Sequence, residues 1–349
     1  MNLTKKQLRL ILTAAFAVVG MLVVFNSFFP RGPQETWTGP GTGEVVIEIP
    51  NGANLAEIGR ILASAGVVES ASFFSIATYD RDEAKRIQPG RYSMALKMGS
   101  DEAIDRLLDS SNRLELKVVL PEGMRLSDSV RSIARQLSVE ADDVKQVINQ
   151  LERGELSGTL PEYAQNSAEG FLFPATYRFA DNVTIEEVVV AVINRHFQAE
   201  KNTSLLAAAS EIGFGPREIL TMASLVEAEA YPNDFGKVAR TIRNRLELGM
   251  PLQFDATVNY ALGTKKLLFT PEEFAFDSPY NTYMYPGLPP GPIGSPGEAA
   301  IAAVINPPKG DWLYFVSTNP DKGITKFTAD YQEFLKFRAE FQAWYRENR

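Results

Sequence analysis

From Leu10 to Phe29 the chain carries no charged residue, and the run from Leu10-Ile11-Leu12 to Val23-Val24-Phe25 is broken only by small or weakly polar residues. At about 1.5 Å per residue such a segment spans roughly the 30 Å hydrocarbon core of a bilayer. Lys5, Lys6 and Arg9 precede it with no acid among them, which orients that end toward the cytoplasm. The pattern predicts a cytoplasmic segment 1–9 and an uncleaved single-pass anchor over 10–29, so the remaining chain is expected outside the cytoplasmic (inner) membrane. A cleaved signal peptide is the rival. It would carry a shorter apolar stretch and a small-x-small site, and Asn26-Ser27-Phe28-Phe29-Pro30 is a poor one. Residues 30–43 are rich in Pro and Gly without a hydrophobic period, and read as an extended tether.

Two related patterns follow. Glu44 to Ile49 alternates like a strand, Pro50-Asn51-Gly52 is a turn, and Leu55, Ile58 and Leu62 have helical spacing. The same order returns with Leu114 to Leu120, Pro121-Glu122-Gly123, and Leu126, Val130, Ile133 and Leu137. The shared Pro-x-Gly-x-x-Leu reads as an internal duplication. Segments 70–77 and 100–108 are expected to be helical, and Gly90-Arg91-Tyr92-Ser93 to open a short strand. The units are assigned to 44–113 and 114–160. By fold analogy they are LysM-like glycan-binding modules; a spacer that positions the next domain is the other reading.

The segment 161–349 is expected to be a mainly helical α+β domain, which makes the whole chain α+β. Thr184 is placed as the N-cap of a helix with Glu186 and Glu187 in its first turn. His196 on that helix is expected to pack or to lie at the surface. Pro216 to Ala230 is the next helix, with Pro at its start. On a helical wheel Ile219, Ala223, Val226 and Ala230 form an apolar stripe and Glu227 lies at its edge. Glu229 falls on the far side, so the two carboxylates cannot serve one site. A carboxyl on an apolar stripe has a raised pKa and stays protonated, as a general acid needs. The competing reading of Glu227 is a residue on a partly exposed face, or one in a salt bridge with Arg240, Arg243 or Arg245. Phe235 to Leu248 is a further helix, Trp312 to Thr318 a strand and Tyr331 to Tyr345 an aromatic-rich closing helix. Ser278 to Pro296, dense in Pro, Gly and Tyr, suits a rigid groove for polar sugar rings.

Composition narrows the chemistry. The chain of 349 residues has no Cys and a single His, with 35 basic and 43 acidic residues and a net charge of −8. Thiol nucleophiles, disulfides and Cys-ligated metal sites are excluded. A His-pair metal site is excluded as well, and a Ser-His-Asp triad has little to draw on. No metal or cofactor is expected, and the acidic balance argues against nucleic acid as a partner.

Several segments carry a resemblance when taken in order. They are Glu169-Gly170-Phe171-Leu172-Phe173-Pro174-Ala175-Thr176-Tyr177, Ala223-Ser224-Leu225-Val226-Glu227-Ala228-Glu229-Ala230 and Asn244-Arg245-Leu246. After these come Leu252-Gln253-Phe254-Asp255-Ala256-Thr257-Val258, Tyr280-Asn281-Thr282-Tyr283 and Gly287-Leu288-Pro289-Pro290-Gly291-Pro292-Ile293. With the anchor and the tandem units, the chain resembles the endolytic murein lytic transglycosylases of the YceG-like (MltG) family.

The resemblance implies cleavage of the β-1,4 bond between N-acetylmuramic acid and N-acetylglucosamine in nascent peptidoglycan strands, leaving 1,6-anhydro ends and limiting strand elongation. An ordinary glycosidase needs a second carboxylate, whereas this reaction uses the sugar's own C6 hydroxyl. The implied acid and base is Glu227. The implied groove residues are Gln253, Asp255, Tyr280, Asn281, Tyr283 and Glu169, with Asp255 still open as a second carboxylate. Glycan strands are the implied partner, with peptidoglycan synthases of the elongation or division machinery as further partners. Thr325 and Phe334 stand near positions where relatives often carry His, and Ala175 where an Asp is common. The alternatives are a non-enzymatic membrane-anchored wall-binding scaffold and, more weakly, an anchor for a protein partner.

Overall fold

A computed structural model describes residues 37–156 and 159–348. The expected anchor and the first half of the tether lie outside the described residues. Among the described residues, no helix is long and apolar enough to cross a membrane. The described residues form an α+β architecture, with three separate two-stranded antiparallel sheets and helices as the bulk. It divides after Leu114 into two compact units.

The first unit runs β1 (Thr42–Ile49), α1 (Leu55–Ser64), α2 (Ala71–Ala77), β2 (Gly90–Leu96) and α3 (Ser100–Leu108), with β1 and β2 antiparallel. Local chemistry sets these boundaries. Asn54 accepts from the Glu57 N–H at 2.9 Å and Ser70 from the Phe73 N–H at 3.2 Å, each satisfying a free donor at a helix start. Ile47, Ile49, Leu62, Phe74, Tyr92 and Met94 meet in the core. The tether reading of 30–43 needs correction at its end. The Trp37 N–H reaches Glu69, the Gly39 N–H reaches Glu102, and β1 already begins at Thr42. Backbone hydrogen bonds dock this stretch despite its lack of apolar period.

The second unit opens with β3 (Glu115–Leu120), α4 (Leu126–Leu137), α5 (Ala141–Glu152) and β4 (Ala175–Ala180). Both units therefore share a strand–helix–helix–strand order. In each copy a Gly at positive φ, Gly52 (+79°) and Gly123 (+73°), makes the turn after the first strand. The partner of β3 is β4, paired from Glu115↔Ala180 to Leu120↔Ala175. A boundary at 160 thus cuts through a sheet, because strand pairing closes a long insertion that local pattern does not reveal.

The rest of this unit is α6 (Ile185–Asn202), α7 (Leu205–Ile212), α8 (Pro216–Glu229), α9 (Phe235–Glu247), α10 (Asp255–Leu262), α11 (Pro271–Phe274), α12 (Glu298–Ile305), a β5–β6 hairpin (Tyr314–Asn319 and Ile324–Thr328) and α13 (Tyr331–Asn348). Thr184 and Glu187 form the capping box that starts α6. Helix α8 was expected to show one apolar stripe. Instead every residue from Ile219 to Val226 is buried, because α7, α9, α10 and α12 all pack on it. A segment buried on all faces, with Thr221 and Ser224 as its polar residues, belongs at the centre of a core, and burying each large apolar side chain stabilises it by roughly 1.5–3 kcal/mol. That rigid helix carries Glu227 in its last turn.

Candidate active site

Glu227 leaves the buried part of α8 where the helix ends, and its side chain is half-buried. Its Oε2 accepts one hydrogen bond, from the backbone N–H of Gly297 at 3.1 Å. Gly297 is the N-cap of α12, so the carboxyl faces the positive end of a helix. The segment before Gly297 is tied down twice. The Ile293 N–H donates to Ser224 Oγ at 3.0 Å, one turn before Glu227. Ser295 pairs in an isolated antiparallel bridge with Met124, and the Gly123 N–H donates to Ser295 O at 2.8 Å. Glu298 then fixes the start of α12 through an ion pair with Arg195 at 2.7 Å.

Opposing influences act on Glu227. Burial raises its pKa above the ordinary carboxylate value, the Gly297 N–H lowers it, and the nearby charge of Glu122 raises it further. Net, the pKa is raised. The arginines that could have neutralised Glu227 are spent elsewhere. Arg240 donates to Pro307 O and Pro308 O, Arg245 to Leu313 O and Leu252 O, and Arg243 lies over the Phe214 ring.

Glu229 faces away from Glu227, as helical geometry requires. Its Oε1 accepts the Ala256 N–H at 2.9 Å, and burial pushes its pKa up to about 7, with Asp255 raising it and Arg245 lowering it. Asp255 accepts from the Tyr283 hydroxyl at 2.6 Å. Its pKa is raised by desolvation against that hydrogen bond. Asp255 and Glu229 line a cavity of about 510 Å³ together with Asn259, Lys266, Phe341 and Trp344.

Glu169 forms a third neighbourhood. It is only 8% exposed. It accepts the Leu126 N–H at 2.9 Å and the Tyr260 hydroxyl at 3.1 Å. Burial pushes its pKa up to about 7 against both donors and the Arg125 charge. Arg125 lies 5.6 Å above the Tyr260 ring, and Tyr260 contacts Tyr280 with ring centroids 4.7 Å apart. A separate cavity of about 670 Å³, beside Tyr163, Arg217 and Leu288, opens at the start of α8. Arg217 precedes Glu227 by about 15 Å along the helix axis at 1.5 Å per residue, so that cavity does not hold Glu227.

The YceG-like family model matches residues 47–340. The chain is 32% identical over 314 residues to the endolytic murein transglycosylase of Bacillus subtilis strain 168, covering 85% of this chain and 84% of that one. It is also 32% identical over 303 residues to the endolytic murein transglycosylase of Streptococcus pneumoniae R6, covering 78% of this chain and 54% of that longer protein. The chain belongs to the YceG-like family. A crystal structure of a YceG-like protein from Listeria monocytogenes superposes with a TM-score of 0.57 at 29% identity, over 85% of this chain and 99% of that one.

Within this family fold, the residues picked out by motif fall into distinct environments. Asp255 and Tyr283 pair directly, and Tyr280 joins Glu169 through Tyr260. Gln253 is exposed and holds a left-handed backbone at φ +51°, a strained conformation that clusters at functional sites. Its N–H donates to Thr282 O at 3.1 Å, which ties the 280s loop to the start of α10. Asn281 differs from the others. It is fully buried, its amide donates to Phe274 O and Phe276 O, and its Oδ1 accepts the Tyr283 N–H at 3.0 Å. With every polar atom committed, it shapes the loop and does not face a ligand.

His196 is 1% exposed and sits among Tyr163, Phe171, Phe173 and Phe197, which makes it a packing residue. Motif reading passed over Ser224, Tyr260, Glu122 and Gly297. Ser224 lies inside a quoted motif, and Glu122 lies in the duplicated turn. Glu122 and Gly297 reach Glu227, and Tyr260 reaches Glu169, from distant parts of the chain, so spacing could not reveal them.

Proposed function

We propose that this protein is a membrane-anchored endolytic murein lytic transglycosylase that works with Glu227 as its single acid and base. The observation that carries the reading is the state of Glu227: a carboxyl of raised pKa at the end of a buried helix, with a backbone donor and, among the described residues, no ion-pair partner, in a family whose curated relatives bear that activity in their names. Burial and the Glu122 charge favour the protonated form, while the Gly297 N–H and the α12 N-terminus favour the carboxylate. A carboxyl whose pKa is raised, yet which keeps a backbone donor for its ionised form, suits a residue that must give a proton and then take one.

In the proposed reaction, Glu227 gives its proton to the glycosidic oxygen as the bond from muramic acid C1 breaks. The GlcNAc unit leaves with a new O4 hydroxyl. The muramic acid O6 then bonds to C1 and its proton passes to Glu227, which returns to the acid form. No water enters. Asp255, Tyr283, Tyr280 and Gln253 are the proposed glycan contacts, Glu169 orients Tyr260 beside them, and Asn281 holds their loop. The apolar segment 10–29 is the proposed inner-membrane anchor, and the two strand–helix–helix–strand units are proposed LysM-like glycan binders. Synthases of the elongation or division machinery are the proposed protein partners.

The test is incubation of the purified full chain with peptidoglycan. Release of 1,6-anhydro ends that is lost in Glu227→Gln supports the reading. Ordinary reducing ends would mean a hydrolase, and a Glu227→Gln chain that rescues a deletion strain in full would mean a scaffold.

A further inference from the structure

The duplicated turns differ at their middle residue, which is Asn51 in the first copy and Glu122 in the second. The second turn packs directly against the segment that holds Glu227. A Cβ placed on Gly123 would lie 3.5 Å from Glu227 Cγ. A Cβ on Gly294 would lie 2.7 Å from Gly123 O, so only a residue without a side chain allows that approach. At Gly297 a Cβ would lie 2.6 Å from Glu122 Cδ and would overlap Glu122 Oε1. The Glu122 carboxyl therefore occupies the space a side chain would fill at the residue whose N–H holds Glu227. One glycine separates two acids brought from distant parts of the chain.

Other charged groups on the elements around α8 point elsewhere. On α12, Glu298 pairs with Arg195. On α9, Arg245 acts on Glu229, Tyr283 and Tyr314. Asp255 of α10 holds Tyr283, and Arg125, beside the turn, acts on Glu169. Glu122 itself forms no ion pair among the described residues.

We infer that Glu122 is a positioning residue of the active site, whose carboxylate across Gly297 keeps Glu227 in its acid form until the glycosidic oxygen arrives. This rests on Glu227 being the acid of the proposed reaction. Like charges held close cannot both ionise freely. Glu122 is open to solvent whereas Glu227 is half-buried, so the penalty of a second negative charge across Gly297 falls on the ionised form of Glu227. The second strand–helix–helix–strand unit thus supplies a residue to the site as well as a fold element. The glycine at 297 is required for the carboxylate to reach its place.

The test compares wild type, Glu122→Gln, Glu122→Asp and Gly297→Ala as full chains. Anhydro-end formation is followed against pH, and the Glu227 carboxyl is titrated by carbon NMR, assigned with Glu227→Gln. In Glu122→Gln, the Glu227 titration and the alkaline limb of the pH–rate profile both move to lower pH, so activity loss grows as pH rises. Glu122→Asp restores both in part. Gly297→Ala, which displaces the carboxylate, shifts the NMR titration in the same direction. An unmoved Glu227 titration in Glu122→Gln overturns the inference, even if activity falls, since that loss would be structural. A wild type without anhydro product sinks the proposed reaction instead, and the NMR shift still decides whether Glu122 governs the proton on Glu227.

Discussion

The backbone N–H of Gly297 meets Oε2 of Glu227 at 3.1 Å across 70 positions of sequence. A neutral amide in place of the carboxyl can still accept that bond through its oxygen. Glu227→Gln is therefore expected to keep the fold, with a melting temperature equal to or above wild type, since a partly buried group that can ionise beside Glu122 is replaced by one that cannot. Its activity is expected to fall about 10²–10⁴-fold, the usual contribution of a general acid. Paired thermal melts and anhydro-end assays read both.

The Tyr283 hydroxyl donates to Asp255 at 2.6 Å beside Glu229. Asp255→Asn should raise KM about tenfold or more, since hydrogen bonds to charged groups contribute about 1.5–3 kcal/mol, and should leave kcat within a few-fold. A collapse of kcat at unchanged KM would instead give Asp255 a part in the chemistry. Steady-state kinetics on defined glycan strands separates the two.

Glu169 holds a proton more tightly in the folded chain than in the unfolded one, at about 7 against 4.5. The folded state therefore binds more protons, and stability falls as pH rises from about 4.5 to about 7. A shift of this size corresponds to roughly 3 kcal/mol. Glu169→Gln should remove that part of the slope, measured as denaturant midpoints across the same range.

His196 acts in the opposite sense. Burial depresses it to about 4 from 6.5, so its contribution is complete above pH 6.5 and lost as pH falls toward 4. Its Nδ1 is buried with no partner. A His196→Phe chain should lose less stability on acidification and retain its activity, seen in melts at pH 5 and pH 7.5 beside the anhydro-end assay.

Gly170, at φ +90°, lies where a Cβ would stand 2.6 and 2.7 Å from Pro292 Cβ and Cγ. Gly170→Ala should cost about 1–3 kcal/mol of strain and overpacking. Because Pro292 adjoins the Ile293 anchor on Ser224, activity should fall more than stability alone explains. Urea titration and activity at a temperature where both chains are folded give the comparison.

The local elements were legible because their causes are local. Thr184 with Glu187 and Pro216 start their helices through side-chain caps and a fixed φ. The alternation of β1 and β3 and the two Pro-x-Gly turns follow from a period of two and a glycine at positive φ. The angular separation of Glu227 from Glu229 follows from 3.6 residues per turn. The order of motifs was enough to name the family.

Other features were decided only by tertiary packing. Helix α8 is buried on every face because four helices surround it, which its own composition does not specify. Asn281 turns inward and is spent on its loop, although its motif reads as a surface one. β4 pairs with β3 across an insertion. Glu122, Gly297 and Glu227 converge through backbone pairing of Met124 with Ser295. The sequence left carboxylates as nearly all the chemistry the chain offers, and the order of its motifs singled out Glu227 as the proposed acid. The fold decided the direction in which its pKa moves, because burial, a backbone N–H at a helix N-terminus and a second negative charge act through distances that exist only once the chain is folded.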